Sequence, residues 1–218
     1  MRIKWYGHAA FRLTTDAGVN IIIDPYESGA FGGTLSYGRI TDPADIVLVS
    51  HGHADHNYTG DIPAGFEDIR KEGDYDIKGV KIHALPAYHD TAKGRDRGQT
   101  LMFVIEADGI RVVHAGDLGH TLDREGLAGM GKVDVLMLPV GGYFTIDAGQ
   151  ATKVMNDIGA AITIPMHYKT DKADFPIAGV KDFTVGKARV KTVPGPEVEI
   201  TAAGLPSEPE VLVLDYAN

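Results

Sequence analysis

One short segment constrains this chain more than any other feature of its sequence: residues 50–56 read Ser-His-Gly-His-Ala-Asp-His. His51, His53, Asp55 and His56 follow directly on an apolar run, Ile46 to Val49, that is typical of a buried strand. Nitrogen and oxygen donors at this density suit zinc and its first-row neighbours. A chance match to this pattern in a chain of this composition is roughly one in a thousand. The sequence therefore predicts a metal site at the end of a strand.

The spacing within this segment favours two ions over one. Alternate residues of an extended segment point the same way, so His51 and His53 can bind one ion together. Asp55 and His56 are adjacent in the next turn and can diverge toward a second ion. The pattern differs from the helical His-Glu-x-x-His of one protease class, which is therefore not indicated. Because the chain has no cysteine, thiolate catalysis and disulfides are excluded, and the metal ligands must be histidines and carboxylates.

Further donors follow apolar runs in the same manner: His89, Asp117 and His167. Loops at strand ends are where a rigid sheet usually displays a site, so we expect these three near the histidine cluster. Taken singly, each is explained about equally well as an ordinary polar loop residue. His83 competes with His89, but it lies within a predicted strand, Val80 to Leu85. Pro86 is expected to end the strand ladder and to free the next loop to turn toward the other donors.

The rest of the sequence predicts one domain, residues 1–218, that mixes strands with surface helices. Asp108-Gly109 between two apolar runs is a strong hairpin signal. Asp147 and Gln150 resemble a capping box at the start of the clearest amphipathic helix. Residues 26–43 are rich in Gly, Ser and Tyr without a helical period, so we expect an exposed loop that either borders a site or only connects strands.

Charge and hydropathy narrow the class of partner. The formal charge is −9, from 21 Lys+Arg against 30 Asp+Glu, which makes nucleic acid an unfavoured substrate and a small molecule the expected one. No apolar run approaches the ~20 residues that span a bilayer, and the start lacks a signal core, so we expect a cytoplasmic protein without a membrane partner. The sequence leaves the choice between monomer and homo-oligomer open.

Several motifs in order along the chain resemble those of a known family. They are Trp5-Tyr6-Gly7-His8, Ile23-Asp24-Pro25, the histidine cluster, His89-Asp90 with Arg97-Gly98, His114-Ala115-Gly116-Asp117, Pro139-Val140-Gly141-Gly142 and Pro165-Met166-His167-Tyr168. Together they resemble the metallo-β-lactamase superfamily over nearly the whole chain, and within it the small hydrolases similar to ascorbate-6-phosphate lactonase.

This resemblance implies a fold and a set of ligands. The fold is an α/β four-layer α/β/β/α sandwich with the metals at one edge. The first metal site would consist of His51, His53 and His89. The second would consist of Asp55, His56 and His167, and Asp117 would bridge the two. The short gaps between these motifs leave no room for the inserted domain of the nuclease branch, and Gly7-His8 belongs to the lactonase-like branch, so a β-lactam substrate is not expected.

The predicted function is a metal-dependent hydrolase with two divalent ions, zinc first and Mn²⁺, Fe²⁺ or Ni²⁺ as alternatives. A metal-bound hydroxide would cleave an ester, lactone or phosphodiester bond in a small anionic metabolite, with Asp55 as the catalytic carboxylate. The candidates for substrate contact are His8, Arg97 and His120. Two other functions use the same donors: an iron-dependent redox or oxygen-using enzyme, and a non-catalytic metal-binding sensor.

Overall fold

The computed structural model describes residues 1–217. Their strands, in chain order, are β1 (Arg2–Gly7), β2 (Ala10–Thr14), β3 (Asn20–Ile23), β4 (Ile46–Leu48), β5 (Glu67–Ile69), β6 (Gly73–Ile77), β7 (Val80–Tyr88), β8 (Gln99–Ala107), β9 (Ile110–His114), β10 (Val135–Pro139), β11 (Ile162–Met166), β12 (Val190–Val193), β13 (Glu197–Glu199) and β14 (Glu210–Leu214). Their α-helices are α1 (Arg124–Ala128), α2 (Ala148–Ile158) and α3 (Val180–Thr184). None of these helices is long and apolar enough to cross a membrane.

The strands form two mixed sheets. The first has six strands in the order β13-β1-β2-β3-β4-β5, and the second has eight in the order β12-β14-β11-β10-β9-β8-β7-β6. β3, β4 and β5 run parallel to one another, as do β9, β10, β11, β14 and β12. In parallel strands the carboxyl ends meet at the same edge of the sheet, so loops that follow these strands are brought close together.

Along the strands of the first sheet, apolar side chains point alternately to its two faces. One of these faces packs on the second sheet. Ile3, Trp5 and Leu13 belong to the main core that also holds the apolar residues of β8 to β11. Tyr6 and Ile22, which occupy intervening positions on the same sheet, belong to a second buried cluster. The first sheet is therefore buried on both faces, and its outer face needs a cover.

Residues 26–43 form the irregular loop that the sequence predicts, and most of them are exposed, but a few of their side chains also supply part of that cover. Tyr26, Leu35 and Tyr37 are buried in the second cluster, on the outer face of the first sheet. The regular structure here is limited to a short 3₁₀ turn, Phe31–Gly33, and one isolated bridge. The sequence showed no periodicity because an irregular segment contacts the sheet at irregular intervals. Phe31 itself stays exposed and borders the cavity described below.

The helix predicted from the capping box is confirmed as α2. The side chain of Asp147 accepts a hydrogen bond from the Gln150 amide at 2.8 Å, and the Gln150 side chain accepts one from the Asp147 amide at 3.1 Å. Gly159 ends the helix in the left-handed conformation, with φ 66°. α2 packs on β10 beside α3. The α/β sandwich predicted from the sequence is confirmed, with α-helices on the second sheet and the irregular segment on the first.

The pairing of β7 and β8 with their neighbours tests two local predictions. The hairpin at Asp108-Gly109 is confirmed, since both residues have positive φ and join antiparallel β8 and β9. The expectation that Pro86 ends the ladder is wrong, because β7 pairs with β8 through Tyr88. β6 pairs with β7 only as far as Ala84. Beyond that residue one side of β7 has no strand partner within residues 1–217, so an amide hydrogen is not required at every position.

Candidate metal centre

The ligand candidates meet at one edge of the sandwich, where loops from both sheets converge. The histidine cluster, residues 51–56, follows β4 of the first sheet. His89 follows β7, Asp117 follows β9 and His167 follows β11, all in the second sheet. These residues lie far apart in sequence and come together because their strands end at the same edge.

One set of donors consists of His51, His53 and His89. Each offers a ring nitrogen, and these atoms lie within 4.8 Å of one another. Nε2 of His51 is 2.9 Å from Nδ1 of His53. This is the grouping that the sequence resemblance implied for the first site.

A second set consists of His8, Asp55, His56 and His167, all of them buried, again with one donor atom each within 4.8 Å of the others. Three of these are the residues implied for the second site. His8 is the addition: its Nε2 lies 3.0 Å from Oδ2 of Asp55. The structure therefore places His8, a candidate for substrate contact, against a candidate ligand.

Asp117 lies between the two sets. Its Oδ2 is 3.1 Å from Nε2 of His89 in the first set and 3.4 Å from Nε2 of His167 in the second. Its Oδ1 is 3.2 Å from Nε2 of His56. A single carboxylate thus faces nitrogens of both sets, which is the arrangement needed to bridge two ions.

Two facing atoms of this centre provide a test of whether a cation fits. Nε2 of His56 and Oδ1 of Asp117 are fully buried, and neither has a hydrogen-bond partner among the described residues. Buried polar atoms are nearly always satisfied, so a nitrogen and an oxygen that lie 3.2 Å apart without hydrogen-bond geometry are well suited to share a bound cation. Imidazole and carboxylate donors around them fit a divalent first-row cation.

Asp24 fixes the orientation of His56. Its Oδ2 lies 2.9 Å from Nδ1 of His56, and its carboxylate also accepts hydrogen bonds from the amide and the hydroxyl of Ser50 at 2.7 and 2.6 Å. In the neutral ring, which is the form that binds a metal, engagement of Nδ1 by this carboxylate leaves the lone pair of His56 on Nε2, which faces Asp117. The sequence resemblance included Ile23-Asp24-Pro25 but assigned Asp24 no role. The sequence signal for this role was the position of Asp24 itself, an acidic residue directly after an apolar strand.

His114 holds the loop that carries Asp117. The Gly116 amide donates to Nδ1 of His114 at 3.2 Å, so Nε2 carries the proton and donates to the Ala9 carbonyl at 2.9 Å. The fully buried imidazole therefore links β9 to the first sheet. It positions the Asp117 loop and lies outside both sets of donors.

The backbone at the centre adopts conformations that are rare for side-chain-bearing residues. His8, Asp24 and His167 have φ of 51°, 48° and 51°. Glycines allow the loops to approach closely: a Cβ at Gly119 would overlap the main chain of His89, and one at Gly141 would overlap the carbonyl of His167. Such local strain is typical of functional sites held in place by the surrounding fold.

The electrostatics keep most of the imidazoles neutral and the carboxylates charged. Burial lowers the pKa of His51 to about 3 and that of His8 to about 4. Burial would also lower the pKa of His56, but the carboxylates of Asp117 and Asp55 raise it well above its usual value. Burial would raise the pKa values of Asp55 and Asp117, yet the surrounding imidazoles lower both.

A cavity of about 360 Å³ opens over both sets of donors. It is lined by Phe31, His53, Asp55, His89, Asp96, Arg97, Asp117, Phe144, His167 and Phe175. The loop that carries Arg97 is organised by Asp90, whose carboxylate accepts hydrogen bonds from the amides of residues 92, 94, 96 and 97. The sequence candidate Arg97 is therefore held at this cavity.

Two other histidines lie outside this cavity. His120 was a candidate for substrate contact, but it accepts a hydrogen bond from the Tyr88 amide at 3.3 Å and lines a separate cavity beside Leu122. His83 forms a 2.6 Å contact with Asp74 on the outer part of the second sheet. The structure thus brings His89, and not His83, to the other donors.

The two-sheet sandwich with a His/Asp cluster at its edge, together with the relatives given below, identifies the chain as a metal-dependent hydrolase. The chain belongs to the beta-lactamase superfamily: the profile described as "Beta-lactamase superfamily domain" matches residues 2–167. The recognition made from sequence motifs is therefore confirmed at the level of the superfamily.

Similar proteins are named as metal-dependent hydrolases. The chain is 33% identical over 198 residues to a UPF0173 metal-dependent hydrolase of Methanopyrus kandleri, covering 78% of this chain and 85% of the relative. It is 31% identical over 193 residues to a protein of the same name from Thermoplasma acidophilum, covering 78% and 84%.

A solved structure from Thermotoga maritima, assigned to the Zn-dependent hydrolases of the metallo-beta-lactamase superfamily, matches with a TM-score of 0.83 and 33% identity over 99% of both chains.

Proposed function

We propose that this protein uses two divalent cations, zinc in both positions, to hydrolyse an ester, lactone or phosphodiester bond in a small anionic metabolite. The observation that carries the proposal is the position of Asp117, whose two carboxylate oxygens face nitrogens of both donor sets. His51, His53 and His89 would hold one ion, and Asp55, His56 and His167 the other, with Asp117 between them. The assignment of the similar Thermotoga maritima protein as Zn-dependent supports the choice of metal.

The ions supply Lewis acidity and lower the pKa of water, which makes a nucleophile available at neutral pH. The protein's own contribution begins with Asp55, which lines the cavity and belongs to the second set. Its Oδ2 is held by Nε2 of His8, which is neutral at pH 7 and therefore donates a single hydrogen bond. This hydrogen bond would fix the Asp55 carboxylate where it can hold the second ion and orient the attacking water.

The charge expected at the metal centre supports an anionic substrate although the whole protein is acidic, because two bound divalent ions would outweigh the carboxylates of Asp55 and Asp117. Arg97 lines the cavity and has no carboxylate within 4.0 Å among residues 1–217. The cavity volume suits a small metabolite, since ligand pockets of about 300–1,000 Å³ take molecules of that size. The lactonase-like motif Gly7-His8 favours a lactone or ester over a β-lactam.

Metal analysis combined with a substrate panel tests this proposal. Purified protein should contain close to two zinc ions per chain by mass spectrometry and should hydrolyse at least one lactone, ester or phosphodiester. Chelation should abolish turnover and zinc should restore it, and His83→Ala should behave as the wild type. Oxygen consumption with an absorbing iron centre would establish the redox alternative, and tight ligand binding without turnover across a broad panel would establish a sensor.

A further inference from the structure

One wall of the cavity consists of three phenylalanines. The ring centroids of Phe31 and Phe175 are 5.6 Å apart at 73°, and those of Phe144 and Phe175 are 5.8 Å apart at 84°. Both pairs have the edge-to-face geometry that aromatic rings prefer. The three residues come from distant parts of the chain and meet beside His167 and Asp55. The wall therefore adjoins the donors directly.

Phe31 is exposed in a way that packing does not explain. Its side chain is 52% exposed, and its φ of 54° is rare for a residue with a bulky side chain. The strained backbone places an apolar ring where water reaches it. An exposed ring in a strained conformation at a cavity points to an interaction with a ligand, because neither feature favours the free protein.

Arg97 provides a charge next to this wall. Its guanidinium lies 5.5 Å from the centroid of the Phe144 ring, within the range of a cation–π contact. The carboxylate of Asp96, which also lines the cavity, is paired with Arg95 at 2.9 Å and so does not neutralise Arg97. A guanidinium without a carboxylate partner binds carboxylates or phosphates with two parallel hydrogen bonds.

We infer that the substrate carries both an apolar ring and an acidic group, the ring against Phe31, Phe144 and Phe175 and the acid on Arg97. This inference rests on the proposed function in that it treats the cavity as the substrate site. It narrows the substrate from any small anion to an aromatic or similarly bulky apolar acid whose scissile bond lies at the metal centre.

Calorimetric binding of three acids to the metal-loaded protein tests this inference. Benzylsuccinate has a ring and two carboxylates, succinate lacks the ring, and hydrocinnamate lacks the second carboxylate. Benzylsuccinate should bind at least roughly tenfold more tightly than succinate, since even one buried methylene is worth about tenfold. Phe31→Ala should reduce this ratio by roughly fivefold and leave the affinity for succinate unchanged.

In this design one carboxylate of each acid binds the metal ions, and the second carboxylate of benzylsuccinate binds Arg97. Arg97→Gln should therefore weaken benzylsuccinate by roughly tenfold, the loss of one charge-assisted contact, and should leave hydrocinnamate, whose single carboxylate is on the metal ions, unchanged. Val185→Ala removes another exposed apolar side chain, 77% exposed, outside the cavity lining and should change no affinity. Both Phe31 and Arg97 are exposed, so neither variant should disturb the fold, which circular dichroism verifies.

A preference for benzylsuccinate below twofold in the wild type, or one that survives Phe31→Ala, overturns the inference. The inference is also overturned if Phe31→Ala dissociates an oligomer and leaves the affinities for the three acids unchanged, because the aromatic wall would then be an interface between copies of the chain. Binding does not require turnover. A ring preference in a protein that hydrolyses nothing therefore removes only the proposed function, and hydrolysis without a ring preference removes only this inference.

Discussion

Replacement of Asp24 by asparagine should weaken metal binding without unfolding the protein. The carboxylate of Asp24 is fully buried and accepts from Ser50 N, Ser50 Oγ and Nδ1 of His56. Asparagine keeps the shape and one acceptor oxygen but presents an NH₂ group toward the other partners. If that group donates to Nδ1 of His56, the proton of the neutral ring moves to Nε2. The position that faces Asp117 then carries a hydrogen in place of a lone pair.

The expected loss of metal affinity follows from the loss of the hydrogen bond by which Asp24 orients His56. Residues that orient a metal-binding histidine contribute 10–100-fold in metal affinity, which is about 1.4–2.7 kcal/mol. Loss of a hydrogen bond to a buried charged group should also lower the free energy of unfolding of the metal-free protein by about 1.5–3 kcal/mol. Asp24→Ala would leave several buried donors unsatisfied and is less suitable because it endangers the fold.

Competition with a chromophoric chelator measures the metal affinity, and urea unfolding of the metal-free protein measures the stability. Asp147→Asn is the matched control, because Asp147 caps α2 on the surface and asparagine caps equally well. A metal affinity for Asp24→Asn within threefold of the wild type, with the fold intact, would refute the role assigned to Asp24.

Three further predictions concern the donors themselves. Asp55→Ala should lower kcat/KM by several orders of magnitude with an unchanged circular dichroism spectrum, and retention of more than about a tenth of the rate, a cost below ~1.4 kcal/mol, contradicts its role. His89→Ala should lose bound metal and His83→Ala should keep it; the reverse result in metal per chain would make the first site wrong. Because the raised pKa of His56 keeps its imidazole protonated at pH 7 in the metal-free protein, metal binding should release about one proton, which calorimetry in two buffers of different ionisation enthalpy detects. Binding without proton release at pH 7 would show that His56 is already neutral.

The features that the sequence predicted well depend on short-range chemistry. The turn at Asp108-Gly109 needs two residues that tolerate positive φ, and the cap at Asp147 needs a partner three residues later. The histidine cluster likewise concentrates its donors in one segment. The superfamily could be recognised because such local motifs occur in order along the chain. The assignment of individual residues as metal ligands remains a prediction.

The features that the sequence did not predict depend on distant contacts. Pro86 is accommodated within β7 because the pairing of β7 with β6 ends at Ala84, which no local pattern indicates. Asp24 acquires its role from His56, 32 residues away. The burial of Tyr26, Leu35 and Tyr37 within the loop 26–43, and the aromatic wall beside Phe31, both depend on how separate segments pack on one another. Each of these outcomes is decided by tertiary packing after the strands have formed.

The division of the candidate ligands between the two sheets makes metal binding sensitive to how the sheets are aligned. His51 and His53 move with the first sheet, whereas His89 and His167 move with the second. Coordination tolerates displacements of only a few tenths of an ångström, so a slight slip of one sheet over the other would spoil it long before either sheet melts. Substitutions deep between the sheets, remote from any ligand, should therefore lower metal binding and activity while leaving the protein folded. The amount of bound metal would then report how well the two sheets are aligned.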